Sequence, residues 1–109
     1  QISPANATQY YRRVVDALGG VDAVHDSYRL FMAPGMGHCG GGEGPGTFDM
    51  LAALETWVEE GRAPDRIIAS RQRNGAVDRT RPLCPYPQQA VYVGTGSTDD
   101  AANFVCRAP

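Results

Sequence analysis

One glycine-rich stretch decides how this chain is interpreted. From Met32 to Gly42 it reads Met-Ala-Pro-Gly-Met-Gly-His-Cys-Gly-Gly-Gly, with His38 directly before Cys39. Because glycine has no Cβ, a loop of this composition lets the backbone approach a substrate closely. A single imidazole in such a loop is placed for proton transfer, since histidine titrates near neutral pH. The stretch therefore predicts a loop that carries a reactive histidine.

The residues at the start of the chain predict a helix. Asn6 and Gln9 have the spacing of a capping box, and apolar residues then recur with helical period. Gly19-Gly20 is typical of a helix C-terminus. We expect a helix over about residues 6–18, capped by Asn6.

A short apolar run lies between this helix and the glycine loop. Residues 28–33 are mostly apolar and are stopped by Pro34, which favours a buried strand with Phe31 and Met32 in the core. His25 precedes the run in a polar connection. We expect it to be a solvated loop histidine without a functional role.

A long loop and a second helix follow. Residues 34–46 contain seven glycines and two prolines, which predicts a loop. Thr47 is expected to cap a helix that has Asp49 in its first turn and ends at Gly61. One apolar stripe along this helix is expected to be buried, and it comprises Phe48, Leu51, Leu54, Trp57 and Val58.

The last third of the chain is rich in turns. Residues 67–70 and 90–93 are strand candidates, and residues 99–106 fit either one helical turn or an extended tail. Four arginines interrupted by Asp78 are expected to form a solvated loop; they are Arg71, Arg73, Arg79 and Arg81.

The order of these elements indicates an α/β fold. Helix, strand, histidine loop, helix and strand in succession imply a parallel sheet covered by helices. Two amphipathic helices also need something to bury their apolar stripes. The chain begins with Gln1 rather than an initiator methionine, so we expect it to be an internal fragment or a processed product and the end of a larger domain.

Composition excludes several classes of protein. At 109 residues and a net charge of -2, with ten scattered arginines and no lysine, the chain has no basic stripe for nucleic acid. The mean hydropathy of -0.34 and the lack of a long apolar segment argue against a membrane span. Three cysteines without metal-ligand spacing predict no zinc site. Gly35 to Gly40 fit a dinucleotide-binding spacing, but no helix is expected to open at the third glycine.

The position of His38 fits one catalytic arrangement. In α/β hydrolases the triad follows the chain order Ser, Asp or Glu, then His, and the histidine lies on a loop after the last strand and before the last helix. His38 would then act as general base toward a serine hydroxyl and as general acid toward the leaving alkoxide.

The same loop resembles the histidine motif of the tannase and feruloyl esterase family. Further matches follow in the same order along nearly the whole chain: Ile2-Ser3-Pro4 with Tyr10-Tyr11, Phe48-Asp49-Met50 to Trp57-Val58-Glu59, Gly61 with Ala63-Pro64, residues 79–87, and Asn103-Phe104-Val105-Cys106. An ordered set of this kind is far more specific than one motif.

The resemblance implies a serine carboxylic ester hydrolase with an α/β-hydrolase fold that acts on aromatic acid esters such as gallates, ferulates or mono(hydroxyethyl) terephthalate. Residues 1–109 would be the C-terminal segment of its catalytic domain, with His38 as the catalytic base. Cys39 would be half of a disulfide to a cysteine outside this chain, beside the nucleophile. Cys84 and Cys106 would form a second, structural disulfide that closes about 22 residues, a contribution on the order of 3 kcal/mol.

The resemblance also shows what this segment lacks. None of its serines lies in a GxSxG elbow, and the family's triad aspartate would lie just upstream of Gln1. We therefore expect the chain alone to be inactive and to need the remainder of the same esterase, with Cys39 either bonded to it or a free thiol. No cofactor or metal is expected here, since the family's calcium-binding lid is inserted earlier.

The expected partner is a small aromatic ester, without nucleic acid or membrane, and the expected location is secreted or periplasmic. The alternative is a non-catalytic, disulfide-stabilised fragment or binding module.

Overall fold

The computed structural model describes residues 2–109 and divides into a helical half and a stranded half. The helical half holds α1 (Ala5–Leu18), α2 (Val21–His25) and α3 (Met50–Glu60). The stranded half holds β1 (Ile67–Arg73), β2 (Ala76–Leu83), β3 (Gln89–Tyr92), a 3-10 turn (Ala101–Asn103) and β4 (Phe104–Arg107). In this part of the chain, no helix is long and apolar enough to cross a bilayer.

Helix α1 confirms the first predicted helix, but its start differs. Asn6 lies inside the first turn, and the helix begins after Pro4, whose φ of -66° already suits a helical turn. The Ser3 hydroxyl accepts the Ala5 N–H at 3.3 Å. At the other end, Gly19 adopts a φ of 92°, the left-handed conformation that favours glycine, and so ends the helix as predicted.

The predicted strand over residues 28–33 is wrong. The segment is extended, but it makes a single antiparallel bridge, between Phe31 and Pro85, and the Tyr86 N–H donates to the Leu30 carbonyl at 2.7 Å. A strand needs a neighbour along its whole length, and this segment meets one only at that point. Phe31 and Met32 are accordingly half-buried instead of lying in a core.

The connection before this segment is helical, not a solvated loop. Helix α2 buries Val24 completely. His25 is its last residue and is half-buried, with a buried Nε2 that has no partner among residues 2–109.

Helix α3 is capped by a different residue from the one predicted. The Asp49 carboxylate accepts the Ala52 N–H at 2.9 Å. Thr47 instead exchanges two backbone hydrogen bonds with Ser70 on β1, at 3.1 and 2.8 Å. Gly61 ends the helix with a φ of 69°, as predicted.

The apolar stripe of α3 is uncovered within residues 2–109. Leu51, Leu54 and Val58 are 62%, 53% and 76% exposed. Trp57 is half-buried, with the Arg29 guanidinium 5.6 Å from the centre of its ring. Within residues 2–109 the stripe therefore lacks the burial that the sequence predicts for it.

Both sheets are antiparallel, so the predicted parallel sheet is also wrong for the described residues. Strands β1 and β2 pair from Ile67 opposite Leu83 to Arg73 opposite Ala76. Asn74 and Gly75 connect them with positive φ values of 53° and 79°, the conformation of a tight hairpin turn. Strands β3 and β4 form the second pair.

The tail combines the two conformations between which the sequence left a choice. Residues 101–103 form a 3-10 turn that leads directly into β4. A disulfide joins Cys84, next to the end of β2, to Cys106 on β4, with a Cα–Cα distance of 5.5 Å. Leu83 and Phe104 are buried beside it, so the crosslink lies in the small core of the stranded half.

Candidate active site

A groove of about 930 Å³ lies between the N-terminal segment and the first part of the glycine loop. Its lining is mainly apolar and contains one ionisable side chain, the exposed imidazole of His38. The lining residues are Ile2, Ser3, Pro4, Asn6, Ala7, Met32, Ala33, Pro34, Gly35, Met36 and His38. The fold therefore places the predicted reactive histidine in a surface groove that could accept a small apolar molecule.

Cys39 lies directly against the imidazole. Its Sγ is 3.1 Å from His38 Nδ1, and the thiol is exposed and free. The other two cysteines are bonded to each other, so this chain has no cysteine left to pair with Cys39.

The loop that carries His38 is held by its own backbone. The Gly44 N–H donates to the Gly35 carbonyl at 3.0 Å, and the Gly37 N–H donates to the Gly41 carbonyl at 3.0 Å. A Cβ on Gly42 would collide with the Gly35 carbonyl oxygen. At this position the missing Cβ lets the loop fold against itself, a role different from the close approach to a substrate that the sequence suggested.

The β1–β2 hairpin anchors the far end of this loop. Arg71 donates to the Glu43 backbone carbonyl at 2.8 Å and makes two hydrogen bonds of 2.9 Å to the Asp78 carboxylate. Arg73 forms an ion pair with the Glu43 carboxylate at 2.6 Å. These hydrogen bonds from Arg71 lower the pKa of Asp78, and the same contact raises the pKa of Arg71.

The remaining arginines of this group are also engaged, so the predicted solvated loop is wrong. Arg79 pairs with Asp99 at 2.7 Å. Arg81 lies 4.0 Å from the centre of the Phe104 ring and donates to the Thr98 carbonyl, and its burial lowers its pKa. The four side chains project from a hairpin and support neighbouring loops.

The site contains one of the groups that the predicted triad needs. Over residues 2–109, His38 makes no hydrogen bond to a serine or a carboxylate. Ser3 lines the same groove, but its hydroxyl caps α1. No three His, Cys, Asp or Glu side chains of the described part gather into a metal site. The loop stays irregular until α3 begins at Met50, so no helix opens at the glycines as dinucleotide binding would require.

The contact between Arg71 and Glu43, which supports the loop of the site from outside the groove, is the feature that sequence reasoning missed. The two residues are 28 positions apart, and the pairing of Thr47 with Ser70 helps to bring their segments together. The alternation of arginines after residue 70 was the available signal, because alternate residues of a strand share one face.

Two solved structures that superpose on this chain are esterases. A crystal structure of feruloyl esterase B from Aspergillus oryzae superposes with a TM-score of 0.87 and 33% identity, covering 97% of this chain and 24% of that one. A second esterase from the same fungus gives a TM-score of 0.87 and 35% identity, with coverage of 97% and 25%. At these identities the similarity extends from fold to sequence.

The sequence comparisons define the family. The model described as tannase and feruloyl esterase matches residues 1–107, so the chain belongs to that family, as the resemblance predicted. The mono(2-hydroxyethyl) terephthalate hydrolase of Piscinibacter sakaiensis is 47% identical over 110 residues, which cover 98% of this chain and 18% of that protein. Feruloyl esterase B of Aspergillus niger is 33% identical over 121 residues, covering 96% and 23%. This chain therefore spans roughly a fifth of the length of these relatives.

Proposed function

We propose that residues 1–109 are the C-terminal segment of the catalytic domain of an α/β-hydrolase-type serine esterase, and that His38 is its catalytic base. The substrates would be esters of aromatic acids, of the feruloyl and galloyl type or related terephthalates. The observation that carries this proposal is the exposed His38 imidazole in a mainly apolar groove, on a loop braced by its own backbone. Family membership and the names of the relatives support the reaction class.

In the proposed mechanism His38 first accepts a proton and then donates it. It accepts the hydroxyl proton of a serine as that oxygen attacks the ester carbonyl, and it then donates the proton to the departing alkoxide. The acyl-enzyme is hydrolysed by the same steps with water as the nucleophile. The exposure of the imidazole allows it to reach both the serine and the leaving group.

The serine and the acid of the triad would come from outside these residues. The N-terminal segment supports this arrangement, because Ile2, Ser3 and Pro4 line the same groove as His38. A carboxylate a few residues before Ile2 would thus enter the site beside the imidazole. On this proposal the 109 residues alone hydrolyse no ester.

Cys39 would tether the histidine to the nucleophile's segment through a disulfide. A thiol 3.1 Å from Nδ1 competes for the nitrogen that a triad carboxylate must contact. Oxidation would remove its proton and free Nδ1 for the carboxylate. Together with the disulfide between Cys84 and Cys106, this tether points to a secreted or periplasmic enzyme.

Substitution of His38 in the full-length protein tests the proposal. We expect His38→Ala to reduce kcat on methyl ferulate, methyl gallate or mono(2-hydroxyethyl) terephthalate by about a thousandfold or more. The variant His25→Gln is the matched control, since His25 lies in α2 outside the groove, and it should retain activity. Unchanged hydrolysis by His38→Ala would remove His38 from the mechanism.

The alternative function is a non-catalytic binding module. The free Cys39 thiol and the exposed stripe of α3 favour it. Mass spectrometry of the purified protein before and after reduction separates the two functions. A peptide that links Cys39 to a cysteine in a serine elbow supports the esterase. A protein that contains neither such an elbow nor such a link would be a binding module.

A further inference from the structure

The two ends of the His38 loop are supported differently. Where the loop begins, the chain before it makes one bridge, from Phe31 to Pro85. Where it ends, Thr47 is fixed to Ser70 by two backbone hydrogen bonds. A third contact lies four residues nearer to His38, where Arg71 holds the Glu43 carbonyl. Arg71 is thus the hairpin side chain that restrains the backbone inside the loop.

The guanidinium of Arg71 is itself held in one orientation. Its Nε and Nη2 donate to the two carboxylate oxygens of Asp78, and Nη1 then points at the Glu43 carbonyl. The planar guanidinium can make both contacts at once, a geometry that a lysine ammonium cannot reproduce. The side chain of Arg71 is only 17% exposed, and its three hydrogen bonds define one orientation of the guanidinium.

The restraint passes from Glu43 to the groove in two steps. The next residue, Gly44, donates its N–H to the Gly35 carbonyl at 3.0 Å and lies so close to Pro34 that a Cβ would collide with the Pro34 carbonyl. Pro34 and Gly35 line the groove together with His38. Fixing the Glu43 carbonyl therefore fixes how Gly44 closes the loop onto Pro34 and Gly35, which line the groove with His38.

We infer that Arg71, oriented by Asp78, is a positioning residue that sets the location of His38 for proton transfer. The inference rests on the proposed role of His38. Arg71 touches neither the groove nor the imidazole, so it would act through the loop alone. A small displacement of a general base strongly reduces the rate of the chemical step, whereas substrate binding in the groove is affected much less.

The test compares two neighbouring arginines in the full-length enzyme. We expect Arg71→Met to lower kcat by about 10- to 100-fold and to leave KM within about twofold. The matched control is Arg73→Met, because Arg73 is 53% exposed and pairs with the Glu43 carboxylate and, at 3.6 Å, with Asp78, but donates no hydrogen bond to the loop backbone. Its kcat should change less than threefold.

Two further variants separate positioning from a general structural role. Asp78→Asn, which leaves the shape of the side chain unchanged, should reproduce the loss in kcat with only a small fall in Tm. The double variant that combines Arg71→Met with Asp78→Asn should have the same kcat as Arg71→Met alone, because the two residues act as one unit. Arg71→Lys should recover only part of the rate. If Arg71→Met does not fold, Asp78→Asn and Arg71→Lys still decide the question.

The outcomes distinguish this inference from the proposed function. Loss of activity in His38→Ala together with a normal kcat in Arg71→Met or Asp78→Asn would overturn the positioning role and leave the esterase intact. A rise in KM together with a fall in Tm in these variants, with kcat unchanged, would also overturn the positioning role. Full activity in His38→Ala would instead refute the proposed function, whatever Arg71 does.

Discussion

The two halves of this chain differ in how completely each pairs its own strands and buries its own apolar side chains. The stranded half pairs all four strands, crosslinks Cys84 to Cys106 and buries Phe104 within its own residues. Over residues 2–109, the helical half leaves His38 without a hydrogen bond to a serine or a carboxylate and leaves the stripe of α3 exposed. The stranded half is thus self-contained, whereas the helical half has an apolar surface for which residues 2–109 supply no cover.

The largest effect is expected on α3. On the proposed function the rest of the domain covers Leu54, so in the full-length protein Leu54→Asp should destabilise the fold by at least about 3 kcal/mol, through the loss of a packed leucine and the desolvation of a carboxylate. Glu55→Asp introduces the same side chain one position along and should cost less than about 1 kcal/mol. Thermal melting and soluble yield measure both variants. Equal behaviour of the two would show that the stripe stays in water, and the contrast between the halves would disappear.

Removing the disulfide should destabilise the stranded half. Replacing Cys84 and Cys106 with alanine should cost about 3 kcal/mol, since the bond closes a separation of 22 residues. Hydrogen exchange should quicken in β3 and β4 and stay unchanged in α1, which provides an internal control. Faster exchange throughout the chain would mean that the two halves unfold together.

The sequence predicted best what local chemistry decides. Gly19 and Gly61 end their helices because a left-handed residue is required there, and glycine supplies it at the least cost. The cap of α3 was wrong because Thr47 and Asp49 both have capping side chains. Thr47 is held in a backbone bridge to Ser70, and Asp49 caps the helix in its place.

Predictions that needed distant partners failed more often. Residues 28–33 have the apolar character of a strand but meet a neighbour only at Pro85. The order of the elements predicts a parallel sheet. The Asn74-Gly75 turn is a hairpin signal that overrides this order, and it makes β1 and β2 antiparallel. In the candidate site, the composition of the loop pointed to His38. No local pattern could join Arg71 to Glu43.

The smallest expected effect concerns pH and the contact between the hairpin and the loop. Hydrogen bonds from Arg71 hold the pKa of Asp78 below its ordinary value of 3.8. The folded protein therefore favours the ionised carboxylate, and this stabilisation is fully present above the ordinary value and is lost as the pH falls through the lower, folded pKa.

Melting curves of the full-length protein between pH 3 and pH 7 measure this contribution. The wild type should be more stable than Asp78→Asn near neutral pH, and the difference should shrink as the pH falls below about 4. Glu59→Gln removes an exposed carboxylate on α3 and provides the control for the loss of one negative charge. A constant difference at all pH values would mean that Asp78 acts through packing, and the loop would then be held by Arg71 without an ionic contribution.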